Sequence, residues 1–173
     1  TVKPDIKVQS AFVGDFSNTA RAKELALSQF NMGADIIFSC ASTAGDGTMQ
    51  AGKEVGKFVI GVDSDQAMLY KETDPELANL IPSSVLKRVD MSLLQSITAA
   101  QEGTLPWGTR VALGIAEDCI GLADNEIYQK VVPEETKALI DEYREKIKNG
   151  EIKVKSAFEM ETQEILDYVN EVK

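Results

Sequence analysis

Through its first half the chain repeats one pattern: a short apolar run, a polar turn bearing Gly, Asp or Ser, then an amphipathic stretch. Ile6, Val8 and Phe12 predict a first strand near Ile6–Val13, followed by the turn Gly14-Asp15-Phe16-Ser17-Asn18. Ala22, Leu25, Ala26 and Phe30 recur at helical spacing, which predicts a helix over Thr19–Asn31 with Gly33 just past its end. Asp35–Cys40 is the next strand. Its continuous core Ile36-Ile37-Phe38 suits burial on both faces. A turn over Ser42–Gly47 then opens a helix from Thr48 to Val55, which Gly56 ends. Phe58–Val62 is a third strand, and Asp63-Ser64-Asp65-Gln66 a third turn. Strand, helix, strand, helix, strand with short connections implies a parallel sheet with right-handed crossovers.

The second half is less regular. Pro82–Leu86 reads as extended, and a helix starts near Asp90 and stops at Gly103. Short β candidates follow at Arg110–Gly114, Cys119–Leu122 and Ile127–Val131. The strongest helix signal begins at Pro133. Acids fill its first turn, Leu139, Ile140, Tyr143 and Ile147 form a stripe, Lys146 and Lys148 close it, and Gly150 caps it. Glu151–Val154 is a further short strand candidate. Glu159–Val172 is an acidic amphipathic tail helix carrying Ile165, Leu166, Val169 and Val172.

Composition narrows the function classes. A length of 173 residues fits one domain. Lys and Arg number 18 against 28 Asp and Glu, for a net charge of -10, which argues against nucleic acid and anionic membranes as partners. There is no histidine, so Ser-His triads, Cys-His dyads and His-ligated zinc are excluded. Cys40 and Cys119 are far apart and sit in apolar surroundings, which predicts two buried free thiols. No apolar run approaches the roughly 20 residues that span a bilayer. No leader peptide is visible from Thr1 onward, as expected of a processed or truncated product.

Ligands of open parallel sheets bind beyond the carboxyl ends of the strands. The turns 14–18, 42–47 and 61–66 all fall there, and each carries Asp. Gly47-x-x-x-x-Gly52-Lys53 has P-loop spacing, but Glu54 stands where a Mg²⁺-binding hydroxyl is needed, and Gly52-Lys53 falls inside the helix. Gly45-Asp46-Gly47-Thr48 at a helix start offers N–H groups to a polar ligand, although a capped tight turn explains it as simply. Asp63-Ser64-Asp65 could hold Mg²⁺ for phosphoryl transfer, yet nothing adjacent supplies a third ligand. Asp63 at a strand end could instead accept two hydrogen bonds from a vicinal diol. Phe16 either packs beneath its loop or offers a stacking platform. Lys87 is either a solvated edge lysine or a ligand contact.

These motifs occur together and in order: Gly14-Asp15-Phe16-Ser17-Asn18, Gly33-Ala34-Asp35-Ile36-Ile37-Phe38, Ala44-Gly45-Asp46-Gly47, Gly61-Val62-Asp63-Ser64-Asp65-Gln66 and Ser84-Val85-Leu86-Lys87-Arg88-Val89-Asp90. Val132-Pro133-Glu134-Glu135 and Gly150-Glu151-Ile152-Lys153-Val154 complete the series. Over roughly Val8–Val154 the chain resembles the basic membrane protein (purine nucleoside receptor) family of bacterial substrate-binding lipoproteins, and within it the C-terminal half. The turn Ala41-Ser42-Thr43-Ala44 is less Gly-rich than the family's.

The resemblance implies an α/β fold, a parallel-sheet three-layer lobe of the type I periplasmic-binding-protein kind. Residues 1–154 would be the second of two lobes with its hinge-crossing segments, and 155–173 a helical tail. It implies a solute-binding component of an ABC importer, not an enzyme, with no cofactor or metal. Its partners would be a nucleoside, an ABC permease and an N-terminal lobe, and its place extracytoplasmic and lipid-anchored. Phe16 would stack on the base, Asp63 would accept from the ribose hydroxyls, and the Gly61 backbone would line the site. Lys87 would contact the ribose or base edge, while Gly45, Asp46 and Gly47 would shape the pocket floor. Two alternatives stand beside it: a ligand-sensing regulator on the same fold, and a Mg²⁺-dependent phosphoryl-transfer enzyme using Asp63 and Asp65.

Overall fold

The computed structural model describes residue 3 and residues 5–171. Val172, counted in the tail stripe, lies outside them. Helix α1 spans Thr19–Asn31, with the Asn18 side chain accepting the Arg21 N–H at its start. Strand β1 is Ile36–Phe38. A 3₁₀ turn over Ser42–Ala44 runs directly into α2, Gly45–Val55, which Gly56 closes in the left-handed region at φ 66°. Strand β2 is Phe58–Asp63. Short helices α3 (Gln66–Tyr70) and α4 (Pro75–Ala78) lead to β3, Ser84–Lys87. Helix α5 spans Val89–Gln101, β4 Ile120–Leu122, α6 Glu126–Val131 and α7 Glu134–Lys148. A 3₁₀ turn at Ala157–Glu159 precedes α8, Thr162–Glu171. Among the described residues no helix is long and apolar enough to cross a membrane.

The four strands lie in chain order. β1 pairs with β2 and β2 with β3 in parallel, with Ile36 opposite Phe58 and Gly61 opposite Ser84. β4 joins β3 antiparallel, Lys87 facing Ile120. The fold is α/β on a mostly parallel sheet, as the sequence pattern implies. Ala26 and Phe30 of α1 and Met49 and Ala51 of α2 pack with Val59, Leu77 and Ile81 in one core. The alternation of a strand sets the faces: Val59 is buried under these helices while Ile36, Phe38 and Phe58 point the other way and are exposed.

Close helix approach explains the first glycines of α2. A Cβ on Gly47 would overlap the Thr19 carbonyl oxygen and come within 2.9 Å of the Lys23 nitrogen. Gly52 is packed as tightly, since a Cβ there would lie 2.6 Å from Val59. Lys53, the apparent P-loop lysine, is held by Asp74 at 2.7 Å and ties α2 to the start of α4.

Several expectations are corrected. Ile6–Val13 forms no strand, and Ile6, Val8 and Phe12 are exposed. A strand exists only through a paired neighbouring strand, and among the described residues none pairs with this segment, whose Gln9 carbonyl accepts only from the Gln29 side chain. For the same reason β1 is an edge strand rather than one buried on both faces. Helix α2 begins at Gly45, so Gly45-Asp46-Gly47 is helix and not turn. Ile127–Val131 is helical because Asn125 caps it, accepting the Ile127 and Tyr128 N–H groups at 2.9 Å each. Arg110–Gly114 and Glu151–Val154 are irregular, and α5 starts at Val89 with no side-chain cap. Cys119 is buried as expected, but Cys40, at the unpaired end of β1, is exposed.

We expect Gly47→Ala to cost at least about 2 kcal/mol, because two backbones must separate to admit the methyl group. Gly121→Ala, with open space around it, should cost far less. Urea unfolding of both variants checks this.

Candidate functional site

The carboxyl ends of β1, β2 and β3 face one way, and the predicted site residues divide between that edge and the scaffold beneath it. Asp63 ends β2 and Lys87 ends β3 on the neighbouring parallel strand. Their side chains meet: Lys87 Nζ lies 2.8 Å from Asp63 Oδ1, with the side chains 58% and 42% exposed. An ion pair so open to water adds at most about 1 kcal/mol to stability, so the fold has little need of it. Its groups remain reachable by a polar ligand.

Asp63 is held in an unusual backbone state. Its φ is 68°, a left-handed conformation that few non-glycine residues adopt. The Ser64 N–H turns back to the Val62 carbonyl at 2.8 Å. Gln66 secures the turn twice, its Oε1 accepting the Val62 N–H at 2.9 Å and its own N–H donating to Ser84 Oγ at 3.2 Å. Gly61 leaves room for this, as a Cβ there would overlap both Ser84 Oγ and Gln66 Oε1. The Gly61 N–H is spent on the Ser83 carbonyl. Gly61 therefore shapes the site from below.

Asp65 is tied elsewhere. Its two carboxylate oxygens accept the Asn125 amide at 2.8 and 3.0 Å, which joins the turn after β2 to the start of α6. With Asp63 on Lys87 and Asp65 on Asn125, the two carboxylates do not converge. No metal-binding cluster of His, Cys, Asp and Glu occurs among the described residues.

Phe16 comes to the same edge through its backbone, its carbonyl accepting the Ala44 N–H at 2.9 Å. The ring is 74% exposed, so it does not pack beneath its loop. Asp15 shapes that loop by accepting the Ser17 and Asn18 N–H groups at 2.7 Å each, and these bonds hold its carboxyl below the usual range. Ser42, in the turn after β1, also has positive φ, at 51°. Ser42 and Asp63 thus both hold backbone strain at the carboxyl edge of the parallel strands.

Gly45, Asp46 and Gly47 lie deeper. Gly45 and Gly47 are buried in the first turn of α2. Asp46 accepts the Tyr70 hydroxyl at 3.0 Å, a bond across α2 and α3. Burial, and then that bond, raise the Tyr70 pKa from 10.0 to about 12. Sequence reading missed Tyr70, Ser84 and Asn125. Only Asn125 had a local signal, as an Asn followed by Glu126 at a helix start.

Three comparisons bear on this arrangement. The family model described as ABC transporter substrate-binding protein PnrA-like matches residues 1–157. The chain is 32% identical over 162 residues to the CD4+ T-cell-stimulating antigen of Listeria monocytogenes, covering 88% of this chain and 44% of that one. It is 30% identical over 150 residues to the ABC transporter nucleoside-binding protein BmpA of Lactococcus lactis, covering 79% and 43% respectively. A solved ABC transporter solute-binding protein from Aeropyrum pernix shares the fold, with a TM-score of 0.74 at 24% identity over 94% of this chain and 50% of that one. The chain thus spans about half the length of the curated relatives it matches.

The Tyr70 pKa fixes a pH test. A folded-state value above the unfolded one stabilises fully below pH 10 and fades as pH rises toward 12. Tyr70→Phe should lose about 1 kcal/mol at pH 7. It should also flatten the decline that the parent shows between pH 10 and 12, measured by urea unfolding across that range.

Proposed function

The chain belongs to the PnrA-like family of ABC transporter substrate-binding proteins, and from that premise we propose that residues 1–154 form one lobe of a two-lobed receptor for a purine nucleoside, with 155–173 as its tail. The matched family and the Aeropyrum fold neighbour are ABC transporter substrate-binding proteins, which supports a binding protein rather than an enzyme. The observation that carries the ligand reading is the open Asp63–Lys87 pair at the carboxyl edge of β2 and β3, with the exposed Phe16 ring on the adjoining loop. A carboxylate held at a strand end accepts two hydrogen bonds from a ribose diol. The Lys87 ammonium neutralises that carboxylate and donates to the ribose or the base edge. Phe16 offers the flat face on which a purine stacks. Gly45, Asp46, Gly47 and Gly61 form the floor that fixes these groups. The Lactococcus relative, named as nucleoside-binding, supports the same ligand class.

The net charge of -10 suits a nucleoside better than a nucleotide, since a phosphate would meet an acidic surface. Function then rests on hinge closure: the ligand bridges two lobes and shifts the balance toward the closed form, which an ABC permease reads. In a protein of the relatives' length, the receptor would sit outside the cytoplasmic membrane on a lipid anchor and feed an importer.

Calorimetric titration tests the reading in a protein of the relatives' full length that carries this sequence. Among adenosine, guanosine, inosine, cytidine and ribose, a purine nucleoside should bind best. Phe16→Ala and Asp63→Ala should each weaken it by about 1–3 kcal/mol. No binding to any of these compounds would remove the ligand assignment.

A further inference from the structure

Asn125 divides its side chain between two elements. Its Oδ1 accepts the Ile127 and Tyr128 N–H groups at 2.9 Å each and so starts α6. Its amide nitrogen donates to both carboxylate oxygens of Asp65, at 2.8 and 3.0 Å. Asp65 is in turn the cap of α3, accepting the Met68 N–H at 3.4 Å. Two helix caps sixty residues apart in the chain are therefore bound to each other. The helices they start are joined again beyond the caps: Ala67 of α3 and Ile127 of α6 lie in the same core, and Lys71 pairs with Glu126 at 2.9 Å.

Capping alone does not call for asparagine, since Asp or Ser starts a helix as well as Asn does. Asn differs in carrying a donor and an acceptor on one short side chain, so it serves the α6 N–H groups and a carboxylate together. An aspartate at 125 would keep the cap and set two carboxylates against each other. The residue type at 125 thus answers to Asp65 rather than to α6.

Asp65 stands two residues beyond Asp63. The other bonds of this turn return to the strands it leaves: the Ser64 N–H to the Val62 carbonyl, the Val62 N–H to Gln66 Oε1, and the Gln66 N–H to Ser84 Oγ on β3. Asp63 itself pairs with Lys87, also on β3. The Asp65–Asn125 bond reaches beyond β2 and β3, and so holds the flank of Asp63 that the strands leave free. None of the hydrogen bonds of the Asn125 side chain goes to Asp63 or Lys87.

We infer that Asn125 is a positioning residue for the Asp63–Lys87 pair: acting through Asp65, it sets how strongly the site prefers a vicinal diol. The inference rests on Asp63 as the diol acceptor and adds the remote group that aims it.

Three variants separate this role from a purely structural one. Asp65→Asn keeps an acceptor for the Asn125 amide and should change little. Asn125→Asp keeps the cap, loses the donor and adds repulsion. The two together restore the bond with its direction reversed, at the parent's net charge. In the 173-residue chain, amide exchange at Val62 and Gln66, followed by NMR, should quicken at least about tenfold in Asn125→Asp and return to the parent rate in the double variant, while Val59 and Tyr128 keep the parent rate throughout. In a protein of the relatives' full length that carries this sequence, Asn125→Asp should weaken a purine ribonucleoside about tenfold and its 2′,3′-dideoxy analogue by less than about twofold, with the double variant again repaired. Unchanged exchange at Val62 and Gln66 in Asn125→Asp overturns the inference. So does quickening that spreads to Val59 or Tyr128, or that the double variant leaves unrepaired. Quickened exchange with the preference for the ribonucleoside intact overturns it too. If exchange behaves as expected and the parent binds no purine nucleoside, the positioning of Asp63 stands and the ligand reading falls.

Discussion

The turn after β2 is the constraint on which the site depends. Gly61 lets β2 approach Ser84 and Gln66 more closely than any side chain would allow. Gln66 then grips the Val62 N–H, Ser84 Oγ accepts from the Gln66 backbone, and Asp65 holds Asn125. With both flanks fixed, Asp63 is left at φ 68° with its carboxylate turned toward the neighbouring strand, where Lys87 meets it. Such a conformation costs of order 1–3 kcal/mol and persists only where the surroundings over-determine it. Here the surroundings are three side-chain bonds, and what they secure is the position of one carboxylate.

The motif Gly-Val-Asp-Ser-Asp-Gln thus separates into one exposed group and a frame. Asp63 is open to solvent beside Lys87, while Gly61, Asp65 and Gln66 hold it there. The glycines of α2 divide in the same way from the side chains around them. Gly47 and Gly52 allow α2 to lie against α1 and β2, and that packing sets where the turn after β1 emerges and where Phe16 is pinned by Ala44. Rigid placement of a few exposed groups is what a binding site needs, since ordering them in advance lowers the cost of association.

Much of this was legible in the sequence, for reasons that can be named. Helix α1 carried its stripe and cap locally, and β2 its apolar run, so both were read within a residue or so. The placement of the turns after β1 and β2 at one edge followed from the rule that strand ends of parallel sheets gather their turns, while Lys87 came only from the family resemblance. What escaped was non-local. Ile6–Val13 has the alternation of a strand, but alternation supplies no partner. Ile127–Val131 is the exception: its apolar run suits a strand, but the cap that makes it a helix is local, at Asn125, whose amide is in turn held by Asp65 sixty residues away. The Tyr70–Asp46 bond joins two helices and leaves no trace in either segment.

Apolar side chains are exposed at Ile36, Phe38 and Phe58 and along α5, and the chain spans about half the length of the curated relatives it matches. The account's central claim is that Asp63, held by its turn, recognises the ribose diol. The most direct measurement compares the affinity of a purine ribonucleoside with that of its 2′,3′-dideoxy analogue, in the full-length protein and in its Asp63→Asn variant. The account predicts that the parent discriminates at least about tenfold, equivalent to about 1.4 kcal/mol, and that the variant loses most of this preference. Equal discrimination in both proteins would contradict it.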